Sequence, residues 1–255
     1  VRRASRCAVI GADSPEALAL AGQAAHAVTY SLTDRKADWR AGSVHPHGDG
    51  VCFRCRNRTV RLAVPGRHNV ANALCAAACC EALGVAPAEA LAALESFRGI
   101  ERRLQVVGRT PDGITILDDF AHNPEKIAAS LATLREQPGQ IIVFYQPHGF
   151  RPTAMLRAGI VEAFASRLAG GDLVLMPEIY YAGGTAERNL SSRDLVADLA
   201  ARGVDARFAE SRAAAADAIE RAVRPPRCRV VVMGARDPSL GPFARYLYDT
   251  LGQCD

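Results

Sequence analysis

Lysine is almost missing from this chain. Of its 31 basic residues only Lys36 and Lys126 are lysines, the rest being arginines. Neither lies in a glycine-rich loop, and no Gly-x-x-x-x-Gly-Lys-Ser/Thr run occurs anywhere, so these residues contain no phosphate-gripping loop of that type. Long apolar runs are lacking too. None approaches the roughly 18 to 20 residues needed to cross a bilayer, and Val1-Arg2-Arg3 is not followed by the apolar stretch of a signal peptide. The expectation is a soluble, cytoplasmic protein with no membrane partner. A second Cys-x-x-Cys pair is absent as well, which argues against a structural zinc site at Cys52 and Cys55. The alternating strand pattern of Cys52-Phe53-Arg54-Cys55 places those two thiols on opposite faces. Cys75, Cys79 and Cys80 read as small core residues of an alanine-rich helix, and reduced thiols are the default in such a compartment.

What is present is ordinary globular material. The chain has 255 residues, 49% hydrophobic and 23% charged, enough for two domains. The net charge of +4 suits an anionic small-molecule substrate and is too small and dispersed for a nucleic-acid partner. The arginine bias and the many alanines suit a GC-rich genome.

The first 30 residues read strand, turn, helix, strand, with Asp13 or Ser14 as N-cap before Pro15 and Glu16. Short β pieces follow, and Val51 to Arg56 with Thr59 to Val64 predict a hairpin turning at Asn57-Arg58. Helices are expected from Asn69 to Leu83, ending at Gly84, and from Pro87 to Phe97. A domain boundary falls near Gly99, giving domains of 1–98 and 99–255. Beyond it strands are expected at 104–109, 114–118, 140–145, 172–176, 205–209 and 228–233, and helices at 124–135, 153–168, 192–202, 211–223 and 239–251. Apolar runs such as Ile141-Ile142-Val143-Phe144 suit strands buried on both faces. The alternation predicts an α/β fold with a mostly parallel, doubly wound sheet, whose ligands gather beyond the carboxyl ends of the strands.

Four polar clusters fall at those ends: Asp118-Asp119 followed by Phe120-Ala121-His122-Asn123-Pro124, Tyr145-Gln146-Pro147-His148, Glu178-Ile179-Tyr180-Tyr181, and Gly234-Ala235-Arg236-Asp237. Asp118 and Asp119 are neighbours on a strand, face opposite ways and do not make a catalytic pair; one is expected to meet a ligand hydroxyl and the other to cap the next helix. His122 and His148 are expected at one rim, donating hydrogen bonds to phosphate or carboxylate, which a neutral imidazole can do with its one N–H. Gly66-Arg67-His68-Asn69-Val70-Ala71-Asn72 opens a helix with asparagines whose amides are able to donate to and accept from adenine together.

Taken in order, these segments resemble the Mur ligase family. Gly66 to Ala73 matches Gly-x-His-Asn-x-x-Asn-Ala. Phe97 to Val107 resembles the stretch joining the family's central and C-terminal domains. Asp118 to Pro124 matches Asp-Asp-Tyr-Ala-His-x-Pro, with Phe120 for the tyrosine. Gln146-Pro147-His148 and the run near Met233 are most similar to the branch that joins L-alanine to UDP-N-acetylmuramate. The resemblance implies an incomplete central P-loop-type ATPase domain followed by a Rossmann-like C-terminal domain. It further implies ATP and Mg²⁺ as cofactors, and a UDP-N-acetylmuramyl-type substrate and an amino acid as partners. In that picture Asn72 contacts adenine, Arg103 and Asp119 hold the nucleotide, and His122 faces the reacting groups. Asn123, His148, Arg151 and Tyr180 bind substrate.

Two departures qualify the expectation. The UDP-binding domain, the P-loop and the metal-binding carboxylate of the family would all precede Val1, so the chain alone is expected to be inactive and to need the missing N-terminal domains. The alanine-adding branch continues Gln-Pro-His-Arg-Tyr-x-Arg-Thr, whereas here Gly149 and Pro152 take the two arginine positions, with Arg151 as a replacement one place early. A folylpolyglutamate- or cyanophycin-type ligase and a non-catalytic nucleotide-binding or interaction module stand as alternatives.

Overall fold

The computed structural model describes residues 7–181, 183 and 188–252. It divides into two compact units, Val1–Gly99 and Ile100–Asp255.

The first unit opens with β1 (Ala8–Gly11), the short helix α1 (Pro15–Ala19), a 3₁₀ turn (Ala21–Gln23), β2 (Ala27–Ser31) and β3 (Trp39–Arg40). Ser14 caps α1 by accepting from the Ala17 N–H, and Asp13 instead ties the ends of β1 and β2 together through Ser31, Leu32 and Thr33. These three strands form a parallel sheet in the order β1-β2-β3. A second, antiparallel sheet holds β4 (Gly42–His47), β5 (Gly50–Cys55) and β6 (Arg58–Leu62). Its β5–β6 turn is made by Arg56 and Asn57, at φ 45° and 63°, one residue before the expected Asn57-Arg58, because both central residues of such a hairpin need positive φ. Helices α2 (Arg67–Ala82) and α3 (Pro87–Leu94) close the unit over a core built on Trp39, Phe53, Leu74 and Leu91. Of the three helical thiols expected in the core, Cys80 packs against it half-buried, whereas Cys75 is half-buried and Cys79 exposed, off the stripe formed by Val70, Ala73, Leu74, Ala77 and Ala78.

The second unit contains β7 (Gln105–Arg109), β8 (Ile114–Asp119), α4 (Pro124–Arg135), β9 (Gln140–Gln146), α5 (Phe150–Ala165), β10 (Leu173–Met176), α6 (Ser192–Ala201), β11 (Ala206–Phe208), α7 (Arg212–Ala222), β12 (Cys228–Gly234) and α8 (Leu240–Leu251). The sheet order is β11-β10-β9-β12-β8-β7. Five strands run parallel and β7 returns antiparallel along the edge of β8. One face is covered by α4, α5 and α6 through Ile127, Leu131, Ile160, Phe164, Leu195 and Leu199. The other is covered by α7 and α8 through Ile219, Leu240, Phe243, Ala244 and Leu247. Helices on both faces explain why Ile141 to Phe144 and Val230 to Met233 are apolar without alternation. Helix α5 begins at Phe150, three residues ahead of expectation, since Pro152 falls in its first turn, where a missing N–H costs nothing. Among the described residues no helix is long and apolar enough to cross a membrane.

Candidate functional site

The carboxyl ends of β8, β12 and β9 are adjacent, with β12 between the other two. Asp118 and Asp119 close β8 and point to opposite faces. Asp118 is buried and meets Arg102, whose Nε lies 3.3 Å away and whose Nη2 donates to the Gly234 carbonyl at 2.8 Å. Burial raises the carboxyl of Asp118 above its ordinary value, against the pull of Arg102. Asp119 is only 2% exposed. Burial raises its carboxyl too, opposed by bonds from the Ser130 hydroxyl and from the backbone N–H groups of Leu104 and Ala121. Its oxygens are therefore committed inward, and in this geometry it does not present itself to a ribose as expected. It instead ties the segments that carry Arg103 and His122 to the sheet.

Neither aspartate caps α4. Asn123 does so, its Oδ1 accepting from the Lys126 N–H at 3.0 Å with Pro124 at the first helical position. That commits one Asn123 acceptor to the fold and releases His122 from any capping duty. The His122 Nδ1 lies 2.8 Å from the Phe120 carbonyl. A carbonyl only accepts, so the ring proton sits on Nδ1 and a neutral His122 offers Nε2 as an acceptor. The expectation that both rings donate is corrected to this extent: the one N–H of His122 is already spent. The buried Tyr145 donates its hydroxyl to the His122 carbonyl at 3.3 Å, fixing the loop from the β9 side.

His148 follows β9, and its ring centroid lies 5.4 Å from that of His122, edge to face. The two histidines, separate in sequence, share one rim. Burial, His122 and Arg236 together hold the His148 imidazole below its ordinary value, so it is neutral at pH 7. Its backbone is held by Tyr180: the Gly149 N–H donates to the Tyr180 carbonyl at 2.9 Å and the Tyr180 N–H to the Pro147 carbonyl at 2.8 Å. Below it the buried Gln146 donates to the Glu178 carbonyl at 2.8 Å and accepts from Arg212, which pairs with Asp237 at 2.6 Å. Arg151 is exposed in the first turn of α5, whose N-cap is Gly149 at φ 70°. A left-handed backbone there suits glycine.

Two neighbouring cations flank Phe120: the guanidinium carbons of Arg102 and Arg103 lie 5.1 and 5.6 Å from its ring centroid. Arg103 itself is exposed. Asn72 belongs to the other unit, on the exposed side of α2, where its amide makes one long 3.4 Å bond to Asn69. Among the described residues no group of three or more His, Cys, Asp or Glu is arranged to hold a metal. Arg236 stands at a strand end with no further sign of a site role in the sequence, and Arg102 has no sequence signal for its pairing with Asp118.

Residues 2–80 match the model of the Mur ligase middle domain, and residues 102–236 match that of the Mur ligase glutamate ligase domain. A UDP-N-acetylmuramate–L-alanine ligase of Acidithiobacillus ferrooxidans is 38% identical over 185 residues, covering 68% of this chain and 38% of that protein. The corresponding ligase of Xanthomonas oryzae pv. oryzae is 36% identical over 203 residues, covering 75% of this chain and 42% of the relative. The chain thus spans about two-fifths of the length of these curated relatives. Among solved structures, UDP-N-acetylmuramate–alanine ligase from Thermotoga maritima aligns with a TM-score of 0.66 at 25% identity, over 89% of this chain and 48% of that one. A Mycobacterium tuberculosis folylpolyglutamate synthase complexed with ADP and AMPPCP shares the fold, with a TM-score of 0.66 at 20% identity over 98% of this chain and 55% of its own.

Proposed function

This chain belongs to the Mur ligase family, and from that premise we propose that it forms the rear of the central domain and the C-terminal domain of an ATP-dependent ligase. That ligase would join an amino acid to a UDP-muramyl carboxylate in peptidoglycan-precursor synthesis. ATP would supply the phosphoryl group that activates the carboxylate for attack by the amine. The exposed Asn72 amide fits an adenine edge and the exposed Arg103 fits a nucleotide's flank, whereas the buried Asp119 fits neither and acts by positioning. No donor set in the described residues fits Mg²⁺.

The observation that carries the reading is the His122–His148 pair across the end of β12. With Nδ1–H bonded to Phe120, the Nε2 of His122 is able to take the proton that the attacking amine must lose. His148, held neutral, is able to hydrogen-bond a substrate oxygen without repelling that incoming proton. Tyr180 and Gln146 serve by fixing the His148 backbone, and Asn123 by capping α4. Arg151, exposed at the same rim, is assigned to the acceptor's carboxylate.

The test uses the complete enzyme that carries these two domains. His122→Ala is expected to lower kcat at least 100-fold, within the range for loss of a general base, with little change in Tm. A large fall in Tm with kcat nearly kept would sink the assignment. The 255 residues by themselves are expected to form no amide, because none of them makes a P-loop. That absence also favours a second reading, a nucleotide-binding module without catalysis. In that case His122→Ala leaves the parent's turnover untouched.

A further inference from the structure

The histidine pair supplies no fixed positive charge to the rim. His122 spends its Nδ1–H on the Phe120 carbonyl, and burial holds the His148 imidazole below its ordinary value. Any substrate that reacts beside them as a carboxylate or phosphate needs a cation from elsewhere. The sheet order shows where one comes from. His122 follows β8, His148 follows β9, and the strand between them is β12. β12 ends at Gly234, and the loop leaving it begins Ala235-Arg236-Asp237. Arg236 is therefore delivered between the two histidine loops by the topology itself. It is exposed and makes no ion pair with any described residue, whereas its neighbours in the network are committed: Arg212 to Asp237 and Arg102 to Asp118.

Its backbone gives a second, independent sign. Arg236 sits at φ 67°, a left-handed conformation that a side chain with a Cβ adopts at a cost. Glycine would occupy it without strain. A strained arginine at the end of the central strand, beside two histidines, fits a group held for its charge. Asp237 fixes the turn from beneath: its N–H donates to the Ala235 carbonyl at 2.8 Å and its Oδ1 accepts from the Ser239 N–H at 2.8 Å.

We propose that Arg236 is an oxyanion-binding residue of this site, holding a carboxylate or phosphoryl oxygen of the substrate next to His122 and His148. The proposal rests on the ligase reading of the histidine pair, but it assigns the charge to a residue which that reading does not need.

The experiment is an NMR titration of the 255-residue chain with inorganic phosphate and, separately, acetate, following the His122 and His148 ring resonances and the Arg236 Nε. In the unaltered chain phosphate is expected to shift all three. Arg236→Gln should weaken that binding at least tenfold, and Arg236→Lys should retain most of it. Acetate shifting the same signals more strongly than phosphate would mark the group held as a carboxylate, and the reverse order as a phosphoryl group. Arg236→Gly should lose binding while its Tm stays level or rises, since the strain is relieved. Phosphate binding that survives Arg236→Gln unchanged would overturn the Arg236 proposal and leave the histidine reading standing. Failure of both anions to move the histidine signals of the unaltered chain would overturn the Arg236 proposal, and a kept kcat in His122→Ala of the complete enzyme would overturn the histidine reading as well. A marked fall in Tm for Arg236→Gly would make the residue structural and also refute the proposal.

Discussion

Replacing Asp119 by alanine decides whether that carboxylate holds the site together or waits for a ligand. In the folded chain it accepts from the Ser130 hydroxyl and from the N–H groups of Leu104 and Ala121. Leu104 and Ala121 are buried, at 5% and 1% exposure. Removing the acceptor strands two buried N–H donors, each costing about 1–3 kcal/mol. The Ser130 hydroxyl is able to rotate toward the carbonyl one helical turn back, so its loss is largely recovered. Relief of the buried charge offsets part of the rest, leaving a net cost of about 3 kcal/mol. For a unit of this size that is a fall of about 6–12 °C in Tm. Asp119→Asn keeps one acceptor and should cost less than half as much. Urea unfolding followed by circular dichroism gives the energy, and amide hydrogen exchange locates it at Leu104 and Ala121. The pH dependence adds a sign. The folded carboxyl holds its proton more tightly than the unfolded one, so between the ordinary aspartate range and the raised value the native state binds more protons. Stability contributed by this group therefore falls as pH rises through that window, and the slope shrinks in Asp119→Ala. A cost below about 1 kcal/mol, with both amides still protected, would refute the inward-facing role and return the carboxylate to the nucleotide.

Asn123→Ala should cost about 1 kcal/mol through loss of the α4 cap and speed exchange of the Lys126 amide, while His122→Ala leaves that amide protected. Lowering the pH through about 6.5 should destabilise the chain in part through His148, because the unfolded state takes up a proton that the folded ring resists. A His148→Gln variant should show a flatter pH profile there, and an unchanged profile would mean that the ring is freely solvated. Gly108→Ala would put a Cβ 2.3 Å from the Tyr248 ring. It should cost about 1–3 kcal/mol, with partial recovery in the Gly108→Ala, Tyr248→Ala double variant read by thermal melting.

The sheet of the second unit is legible in the sequence because strands buried on both faces announce themselves as apolar runs, as at Ile141 to Phe144. The shared rim is legible for the same reason: once His122 and His148 each follow a parallel strand, topology sends them to one end. What a sequence does not carry is depth and backbone sign. Asp119 reads like any polar strand end, and only the packing of α4 through Ser130 shows that it faces inward. The roles within Asp118 to Pro124 were distributed differently from expectation, although Asn before Pro is a recognisable helix start. The start of α5 at Phe150 is hidden in the sequence because Pro152 suggests a boundary yet is harmless in a first turn. Arg236 stood in plain view at a strand end, but nothing in its identity discloses a left-handed φ.

The two histidine loops leave strands that are second neighbours in the sheet, about 9.6 Å apart at ordinary strand spacing, yet their rings close to 5.4 Å. They arch over the end of β12 from anchored springers: Tyr145 and Phe120 hold one loop, Tyr180 the other. The freedom these side chains would otherwise surrender on meeting a substrate has already been given up when the sheet folds. Affinity and rate at this rim then depend little on loop ordering. Variants that loosen an anchor without touching an imidazole, such as Tyr145→Phe, should reveal this as an entropic penalty on turnover, seen in its temperature dependence.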